Sequence, residues 1–460
     1  MVQTPSRQYR RTGNQDDVLT KLAARPGSAL TGRTGVPGDK SISHRALMIG
    51  ALAVGRSRIE GLLEADDVLC TAAALRALGA HVEKAGADWI VDGVGVGGLT
   101  SPEDIVDLGN SGTAARLLLG LMATHDLKAH ITGDHSLRSR PMNRVIEPLS
   151  QFGAVFDARD GGRMPLVVQG AAEPIPVEYD VPVPSAQVKS SVLFAGLNTP
   201  GITTVTEREA TRDHTENMLK AFGADLDVQT TTDGGRRISV RGYAELTARD
   251  VVVPGDPSSA AFPGVAALMV PGSEVVIENI GINPLRAGLF DTLRDMGADL
   301  DIANLRDASG EPVADITFRH GPLSGADIPA ARAPSMIDEY PIAAMAAAVA
   351  TGETRFRGLA ELRVKESDRF AAIVDGLGAC GVPVRVDGDD IVVTGLGGPP
   401  PGGAEIPVNL DHRIAMAYLV LGLAAREPVA IDDAAAIGTS FPGFLDLMTG
   451  LGADIAPAGD

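Results

Sequence analysis

The sequence predicts an α/β protein built from six repeats that fall into two blocks of three. Two helix patterns, each occurring six times, and one tetrapeptide that occurs twice lead to this prediction. With 460 residues the chain is too long for one ordinary core, whereas a block of three repeats is large enough to bury its own.

The first pattern is an amphipathic helix that ends in a large apolar residue, followed by Gly, a small or apolar residue and a strand. We expect each Gly to end its helix, because a left-handed backbone at that place favours Gly. Alternating stretches such as residues 88–94, 164–170 and 390–396 follow some of these helices, so each repeat is predicted to contain helix, strand, strand and helix. The copies are ALRALGA, PLSQFGA, MLKAFGA, TLRDMGA, VDGLGAC and LMTGLGA, with Gly79, Gly153, Gly223, Gly297, Gly378 and Gly452.

The second pattern is a helix made almost wholly of small and aliphatic residues, which is expected to be buried on all sides. The copies are HRALMIGALA, AARLLLGLMA, QVKSSVLFAGL, AAFPGVAALMV, YPIAAMAAAVA and RIAMAYLVLGLA. The string VPGD precedes two of them, at residues 36–39 and 253–256. We interpret these two strings as the crossings between two domains.

Composition limits the classes of partner. The formal net charge of −19 would repel nucleic acid and acidic lipid, so a bound anion needs a local pocket of Lys and Arg. Cys70 and Cys380 are too few for a disulfide framework or a Cys-rich zinc site, and the His residues show no metal-ligand spacing. The first 17 residues lack an apolar leader, and no apolar run is long enough to span a membrane. We therefore expect a cytoplasmic protein that binds no nucleic acid, membrane or metal.

Polar and basic residues gather at the starts of the apolar helices, where unpaired N–H groups attract anions. For a single Ser, Thr, Asn or Asp, capping alone is the more common explanation. Cations need another reason, because they oppose the helix dipole. The helix that begins PSSAAFPG has no basic residue there, so five N-termini are predicted to be functional and the sixth structural or related to the linker. The residues at the other starts are Lys40, Ser41, Arg45, Asn110, Ser111, Gly112, Thr113, Arg116, Ser185, Gln187, Lys189, Asp338, Glu339, Asp411, His412 and Arg413.

The amphipathic helices add a second basic set at their own starts, of which some members must be solvated surface charges. The cluster of Lys365, Glu366, Asp368 and Arg369 mixes both signs, which suits a proton-transfer carboxylate held among cations. Asp338 precedes a fully apolar helix, and the sequence leaves it open whether this carboxylate is a cap or functional. The basic residues of the set are Arg138, Arg140, Arg144, Arg208, Arg212, Arg363, Lys365 and Arg369.

Two nucleotide-binding motifs are incomplete. VPGDKS ends in Lys-Ser like a P-loop, but Asp39 and Thr34 occupy the places of its glycines. Gly93, Gly95 and Gly98 spell G-x-G-x-x-G, yet a turn-rich segment follows instead of a helix. We predict a loop at this second motif and no nucleotide site at either.

Over nearly the whole chain the sequence resembles the 5-enolpyruvylshikimate-3-phosphate synthase family. The resemblance implies a two-lobed inside-out α/β barrel, with three βαβαββ repeats in each lobe and central buried helices that point their N-termini at the cleft. It also implies that residues 1–35 and 254–460 form one lobe and residues 36–253 the other. The matching strings are GDKSISHRALM, GNSGTAARLL, RPMNRVIEPL, PSAQVKSS, TRDHTENM, PGDPSSAAF, SMIDEYPI, RVKESDRF, LDHRIAM and TSFPGF.

The resemblance implies a transferase of the shikimate pathway to aromatic amino acids. Such an enzyme moves the enolpyruvyl group of phosphoenolpyruvate onto the 5-hydroxyl of 3-phosphoshikimate and releases phosphate through a tetrahedral intermediate. It implies no metal or organic cofactor, and we expect a monomer that acts on small molecules. The implied 3-phosphoshikimate ligands are Lys40, Ser41, Arg45, Ser185, Ala186, Gln187, Arg212, Asp338 and Lys365. The implied phosphoenolpyruvate ligands are Lys40, Gly112, Arg140, Gln187, Arg369 and Arg413.

The resemblance implies three catalytic residues. Asp338 matches the acceptor of the 5-hydroxyl proton, and Glu366 is the second acid–base candidate, beside the methylene carbon. Lys40 would contact both substrates. The resemblance also implies that Gly112 leaves room for the family's inhibitor glyphosate, which an added methyl group would crowd, so we expect a sensitive enzyme.

The sequence departs from the family pattern at two positions. Thr439 stands where some members have a Lys that binds phosphoenolpyruvate. Ala186 stands where others have a second Ser, so phosphate binding there would depend on backbone N–H groups or on Arg212.

Two alternatives stay open at this point. The UDP-N-acetylglucosamine enolpyruvyltransferases should share the fold, but they commonly use a loop Cys, and neither Cys70 nor Cys380 lies in a suitable loop. A non-catalytic six-repeat anion-binding protein would have no reason to hold Asp338 and Glu366 among so many cations.

Overall fold

The computed structural model describes residues 21–458, and the polar first 17 residues lie outside this range. The described chain forms six β-sheets, numbered I to VI here, and fourteen α-helices. Three short 3-10 helices lie at Ala330–Arg332, Ala360–Val364 and Ala435–Thr439.

The strands are given in their order across each sheet. Sheet I contains β14 (Leu246–Thr247), β3 (Ala53–Glu60), β5 (Asp88–Val94) and β4 (His81–Ala85), with β15 (Val251–Val252) also paired to β3. Sheet II contains β6 (Val106–Asp107), β7 (Lys128–Thr132), β9 (Arg163–Gln169) and β8 (Val155–Arg159). Sheet III contains β10 (Glu178–Val181), β11 (Ile202–Glu207), β13 (Arg236–Arg241) and β12 (Leu226–Thr230). Sheet IV contains β2 (Thr31–Thr34), β16 (Glu274–Gly281), β18 (Glu311–Arg319) and β17 (Asp299–Ala308); sheet V contains β19 (Asp327–Ile328), β20 (Thr351–Phe356), β22 (Asp390–Leu396) and β21 (Val384–Asp387); sheet VI contains β23 (Glu405–Ile406), β24 (Val429–Ile431), β1 (Leu22–Arg25) and β25 (Asp454–Pro457).

All six sheets repeat one pairing pattern. In each sheet the first two strands named are parallel, and the other neighbours in the four-strand order are antiparallel. The additional strand β15 of sheet I pairs parallel to β3. The fold class that the resemblance implied, two lobes of three βαβαββ units each, is therefore confirmed. We call sheets I–III and their helices the middle lobe, and sheets IV–VI and their helices the terminal lobe.

The helices form an inner and an outer set. The inner helices are α1 (Lys40–Leu52), α3 (Gly112–Met122), α6 (Ala186–Leu197), α8 (Pro257–Met269), α11 (Tyr340–Val349) and α13 (His412–Ala424). The outer helices are α2 (Asp66–Ala77), α4 (His135–Ser139), α5 (Asn143–Ser150), α7 (His214–Ala221), α9 (Gly288–Asp295), α10 (Ala333–Met336), α12 (Arg369–Ala379) and α14 (Phe444–Gly450). Every residue of α8 and α13 is buried, and the other inner helices are buried over nearly their whole length, as their small and aliphatic composition predicts.

Two hydrophobic cores fill the two lobes. The middle core draws on residues between Ile42 and Val253. The terminal core draws on residues between Ala260 and Ile455, together with Leu22, Ala24 and Leu30 from the start of the described chain. These three N-terminal residues lie on or beside β1 and β2, which complete sheets VI and IV.

Five of the six inner helices begin at a capping side chain. In α1, for example, the Asp39 carboxylate accepts a hydrogen bond from the backbone N–H of Ile42 (2.9 Å). Ser111, Ser185, Asp256 and Asp411 cap α3, α6, α8 and α13 in the same way. The capping explanation therefore holds for these residues, and it leaves the neighbouring cations unexplained.

The glycine pattern is confirmed at five of its six positions. Five of the predicted glycines have a left-handed backbone, with φ between 82° and 108°. The prediction for Gly378 is wrong, because α12 runs past it and the backbone turns left-handed at Gly381 instead (φ 76°). The longer helix brings Cys380 into the terminal core, where it is fully buried like Leu377.

The two VPGD strings pair with each other where the chain crosses between the lobes. The N–H of Asp39 donates to the carbonyl of Pro254 (2.7 Å), and the N–H of Asp256 donates to the carbonyl of Pro37 (2.9 Å). A Cβ atom at Gly38 would lie 2.0 Å from the carbonyl oxygen of Gly61, so the close approach of the first crossing to the backbone at Gly61 requires Gly there.

Within residues 21–458, no helix has both the length and the apolar character needed to cross a membrane.

Candidate active site

A cavity of about 620 Å³ opens between the two lobes. The residues that the resemblance implied for the site line this cavity, with the exception of Arg369. All six inner helices reach the cavity at or just before their N-termini, through Lys40, Gly112, Gln187, Asp256, Asp338 and Arg413. Partial positive charge and free N–H groups therefore converge on one space from both lobes.

The expectation that the start of α8 is only structural is corrected by this geometry. Asp256, the N-cap of α8, reaches the cavity and pairs with Arg286 (3.2 Å), which lines the cavity as well. Arg286 lies between β16 and α9, so this helix start obtains its cation from a residue 30 positions later. Inspection of helix starts in the sequence could not find it.

On the middle-lobe side of the cavity, which we call the middle wall, hydroxyl groups hold Arg45. Its guanidinium donates to Thr215 Oγ1 (2.6 Å) and to Ser190 Oγ (2.9 Å). Burial lowers the pKa of Arg45 to about 10, and the more distant Glu216 only partly offsets this effect. A buried guanidinium held by neutral oxygens is short of negative charge, which favours the binding of an anion.

Two further guanidinium groups of the middle wall lie beside Gly112. Arg116 donates to the Gly112 carbonyl (3.2 Å), and Arg140 donates to Asn110 Oδ1 (2.5 Å) and Ser136 Oγ (2.9 Å). Burial, and then the charge of Arg140, lowers the pKa of Arg116 to about 10. Arg116 lines the cavity, although the resemblance assigned it no role.

Lys40 and the start of α6 complete the middle wall. Lys40 differs from Arg45, Arg116 and Arg140 in that it pairs with a carboxylate, Asp67 (2.9 Å). Gln187 donates to Thr113 Oγ1 (3.2 Å), so the N-termini of α6 and α3 are joined at the cavity. Ala186, between Ser185 and Gln187, offers only its backbone N–H to a ligand.

Lys189 does not reach the cavity, although the sequence placed it among the cations at helix starts. Its ammonium is fully buried and pairs with Glu207 (3.0 Å) and Glu216 (2.8 Å). It also donates to the carbonyl of Thr211 (3.1 Å). Lys189 therefore supports the segment that precedes Arg212 and contacts no ligand in this geometry.

The terminal-lobe side of the cavity, which we call the terminal wall, has Asp338 at its centre. The carboxylate of Asp338 pairs with Arg212 (2.7 Å), Arg369 (3.2 Å) and Lys365 (3.7 Å). Burial alone would raise the pKa of Asp338, but these cations and Arg413 outweigh it and hold the pKa well below its ordinary range. Asp338 is therefore an ionised carboxylate facing the cavity, and its side chain caps no helix.

Glu366 is a second carboxylate on the terminal wall. It pairs with Arg369 (2.6 Å), which is itself fully buried and also pairs with Asp411 (2.8 Å). Burial opposes the ionisation of Glu366, but Arg369, Arg140 and His412 together hold its pKa well below the ordinary range. Arg369 thus lies behind the cavity surface and bridges three carboxylates, Asp338, Glu366 and Asp411.

Glu339 connects two of the cations on the terminal wall. Its carboxylate accepts from Arg286 (2.9 Å) and from Arg413 (3.3 Å), and it also contacts the hydroxyl of Ser258. Sequence reasoning noted Glu339 only as a polar residue at a helix start. Its pairing with two cations depends on the fold, which brings Arg286 to the start of α11.

Among the described residues, two Arg–carboxylate pairs join the lobes across the cavity. Arg212 of the middle lobe reaches Asp338 of the terminal lobe, as described above. Nearer to solvent, Arg144 donates both guanidinium nitrogens to the two oxygens of Glu361, each at 3.1 Å. The cavity is therefore closed by charge pairs at two places.

Several residues of interest lie elsewhere. Thr439 ends a 3-10 helix, bonds to the Ala436 carbonyl (2.7 Å) and does not line the cavity. Cys70 lies within α2, and Cys380 is buried just after α12. Among residues 21–458, no three His, Cys, Asp or Glu side chains are grouped so that they could hold a metal ion.

Comparison with known proteins identifies the family. The family described as EPSP synthase (3-phosphoshikimate 1-carboxyvinyltransferase) matches residues 24–448. The chain is 61% identical to the 3-phosphoshikimate 1-carboxyvinyltransferase of Paramagnetospirillum magneticum, over 95% of this chain and 98% of the relative, and 62% identical to that of Granulibacter bethesdensis, over 92% and 94%. A solved EPSP synthase structure from Acinetobacter baumannii superposes with a TM-score of 0.84 at 41% identity, over 95% of this chain and 100% of the other. The chain therefore belongs to the EPSP synthase (3-phosphoshikimate 1-carboxyvinyltransferase) family.

Proposed function

We propose that the protein transfers the enolpyruvyl group of phosphoenolpyruvate to the 5-hydroxyl of 3-phosphoshikimate, giving 5-enolpyruvylshikimate 3-phosphate and phosphate. One observation carries this proposal: an ionised carboxylate, Asp338, faces a cavity whose opposite wall holds buried cations short of counter-charge. Such a site can bind two anionic substrates and take a proton from a hydroxyl group between them. Membership of the family supports the choice of substrates.

We assign the 3-phosphoshikimate site to the part of the cavity around the starts of α1 and α6. Arg45 donates to two hydroxyl groups and to the Ser41 carbonyl, all of them neutral, so its guanidinium is suited to a phosphate group. The backbone N–H groups at Ala186 and Gln187 add the anion affinity of a helix N-terminus. The full proposed set is Lys40, Ser41, Arg45, Ser185, Ala186, Gln187, Arg212, Asp338 and Lys365.

We assign the phosphoenolpyruvate site to the part where the two walls meet near the start of α3. Arg140 from the middle wall and Arg413 from the terminal wall line the cavity, and their guanidinium groups would bind this substrate. Gly112 would let the ligand approach the helix backbone, and Gln187 and Lys40 would contact both substrates. Arg369 is the sixth proposed ligand, and it would need to turn from Asp338 or Glu366 toward the cavity.

The proton steps follow from the ionisation of the site. In the addition step, Asp338 takes the 5-hydroxyl proton, the oxygen bonds to C2 of phosphoenolpyruvate, and the Lys365 ammonium gives a proton to the methylene carbon. In the elimination step, Glu366, held as a carboxylate, removes a proton from the new methyl group while the C2–O bond to phosphate breaks. Of the two protons gained by the carboxylates, one returns to Lys365 and the other leaves with phosphate.

We further propose the domain division and setting that the sequence suggests. Residues 1–35 with 254–460 would form one lobe and residues 36–253 the other, which the strand pairings of β2 and β15 support within the described range. We propose a cytoplasmic monomer that acts on small molecules and binds no nucleic acid or membrane. The net charge of −19 supports the last of these proposals, because it would repel nucleic acid and acidic lipid.

A phosphate-release assay tests the proposed function. The protein is incubated with phosphoenolpyruvate and either 3-phosphoshikimate or UDP-N-acetylglucosamine, and released phosphate is measured. We expect release with 3-phosphoshikimate only. Release with the nucleotide sugar, or with neither acceptor, would overturn the proposal in favour of the rival transferase or of a binding protein.

A further inference from the structure

A turn at residues 283–286, whose two end residues are buried, lies between β16 and α9 and outside the set of residues that the resemblance implies. Its first residue, Asn283, and its last, Arg286, are each only 4% exposed. The carbonyl of Asn283 accepts from the N–H of Arg286 (2.8 Å), and its side-chain oxygen accepts from the N–H of Leu285 (2.9 Å). The two ends of the turn are therefore held at a fixed spacing.

The first arm of the turn crosses to the middle lobe. The Asn283 side-chain amide donates to Asp213 Oδ1 (2.8 Å) and to Glu311 Oε2 (3.0 Å). Glu311 in turn bonds to His214 Nδ1 (2.9 Å), which is also buried. Asp213 and His214 follow Arg212 directly in the chain, so this arm holds the segment that presents Arg212 to the cavity.

The second arm of the turn stays in the terminal lobe. Arg286 pairs with Glu339 (2.9 Å) and with Asp256 (3.2 Å), and all three side chains are buried. Glu339 follows Asp338 directly in the chain. This arm therefore holds the segment that presents Asp338 to the cavity.

The contact between Arg212 and Asp338 closes these two arms into a ring. We propose that Asn283 is a positioning residue of the active site, which aligns Arg212 with Asp338 across the two lobes without touching a substrate. The proposal rests on the proposed function, since it concerns the same proton acceptor. Asn283 does not line the cavity.

The ring has an electrostatic consequence at Asp338. Arg212 is one of the cations that keep this carboxylate ionised, so a displaced Arg212 leaves the carboxylate easier to protonate. Other charged groups that act on Asp338 lie on the terminal lobe and include Lys365, Arg369, Arg413, Arg286 and Glu366.

The test uses the Asn283→Ser variant of the full chain. A Ser hydroxyl can still accept from the N–H two residues later, so the turn is preserved, but it is too short to reach Asp213. We expect kcat to fall about 10-fold and KM for 3-phosphoshikimate to rise by a similar factor, because small misplacements of aligned groups have effects of at least this size. KM for phosphoenolpyruvate should stay within about twofold, because Arg140 and Arg413 keep their partners.

A spectroscopic titration separates positioning from a merely structural role. The carboxyl ¹³C signal that disappears in Asp338→Asn identifies Asp338, and in Asn283→Ser we expect this signal to titrate at a higher pH than in the wild type. Asn304→Ser is the matched control, since Asn304 is exposed and its side-chain amide donates within its own lobe to Asp315 (2.9 Å).

Three results would overturn the proposal: unchanged kinetics in Asn283→Ser, an Asp338 titration equal to the wild type, or the same losses in Asn304→Ser. A wild-type protein that releases no phosphate from the two substrates would instead overturn the proposed function. The titration of Asp338 can be measured in that case too, so the two failures are distinguishable.

Discussion

The two walls of the cavity both carry cations but hold them with different partners. On the middle wall, Arg45 and Arg116 are bonded to hydroxyl and carbonyl oxygens, and burial lowers the pKa of each to about 10. On the terminal wall, carboxylates surround Arg286 and Arg369. Burial alone would lower the pKa of both groups, but the carboxylates outweigh it and raise the pKa above the ordinary value. The middle wall is thus prepared to bind anions, whereas the terminal wall is balanced in charge and contains the bases.

The largest expected effect removes the base from the terminal wall. In Asp338→Asn, kcat should fall by about 10²- to 10⁴-fold, because general-base catalysis contributes that much, while both KM values change little. Steady-state phosphate release measures this. Asp327→Asn, which removes an exposed carboxylate paired with Arg357, is the control and should behave like the wild type. Near-normal turnover in Asp338→Asn would remove it from the base role.

The next effect compares the two walls in stability. Arg369→Gln should lower the free energy of unfolding by about 3–5 kcal/mol, because it leaves the fully buried Asp411 without its cation. Arg45→Gln should change it by about 1 kcal/mol or less, since its partners are neutral hydroxyl and carbonyl groups. Urea denaturation followed by circular dichroism measures both. Equal losses in the two variants would show that the walls do not differ as described.

A smaller effect concerns the space at the start of α3. We expect glyphosate to compete with phosphoenolpyruvate in the wild type. In Gly112→Ala, the new Cβ atom would lie 2.8 Å from Arg116 Nη1 and 3.1 Å from Arg140 Nη1. Glyphosate inhibition should then weaken by about 10-fold or more, the usual effect of one methyl group in a fitted pocket. Inhibition constants from phosphate release test this, and a wild type that glyphosate does not inhibit would contradict it.

The smallest effect concerns the pH dependence of the terminal wall. Because its pKa is lowered, Asp338 should show no titration above about pH 4, the ordinary value for Asp. Its ion pairs stabilise the fold above that pH, and this contribution is lost as the pH falls through the lowered pKa. In Lys365→Met the ¹³C signal of Asp338 should titrate at a higher pH than in the wild type, because Lys365 is one of the cations that lower the pKa of Asp338. A signal that does not move would show that Lys365 contributes little to the ionisation.

Much of the fold could be predicted because it repeats. Six copies of one helix pattern and the two VPGD strings marked the units, and Gly79 or Gly452 ends its helix as the pattern requires. Gly378 does not end its helix, because α12 continues to Ala379 and places Cys380 in the terminal core. A local sequence pattern contains no information on which residues the core will bury. β1 and β2 join sheets of the terminal lobe by pairing with strands that lie hundreds of residues later in the chain. Only the resemblance implied that the N-terminal segment belongs to this lobe.

The site was predictable where its residues start helices and hidden where the fold supplies them from elsewhere. Lys40, Arg45 and Arg413 stood out because a cation opposes the dipole at a helix N-terminus. Arg286 gave no such signal, since it precedes an outer helix and reaches the start of α8 only in the folded chain. Glu339 was visible as a polar residue, but its two cation partners lie 53 and 74 positions away.

The completion of sheet VI by β1 has a consequence for synthesis on the ribosome. β1 lies between β24 and β25, so residues 22–25 can pair only after residues 429–431 and 454–457 have been synthesised. Sheet I is likewise completed late, because β14 and β15 pair with β3 from nearly 200 residues further along the chain. Until its partners emerge, β1 exposes an unpaired apolar edge that could associate with other chains. The terminal lobe can therefore be completed only when translation is almost finished.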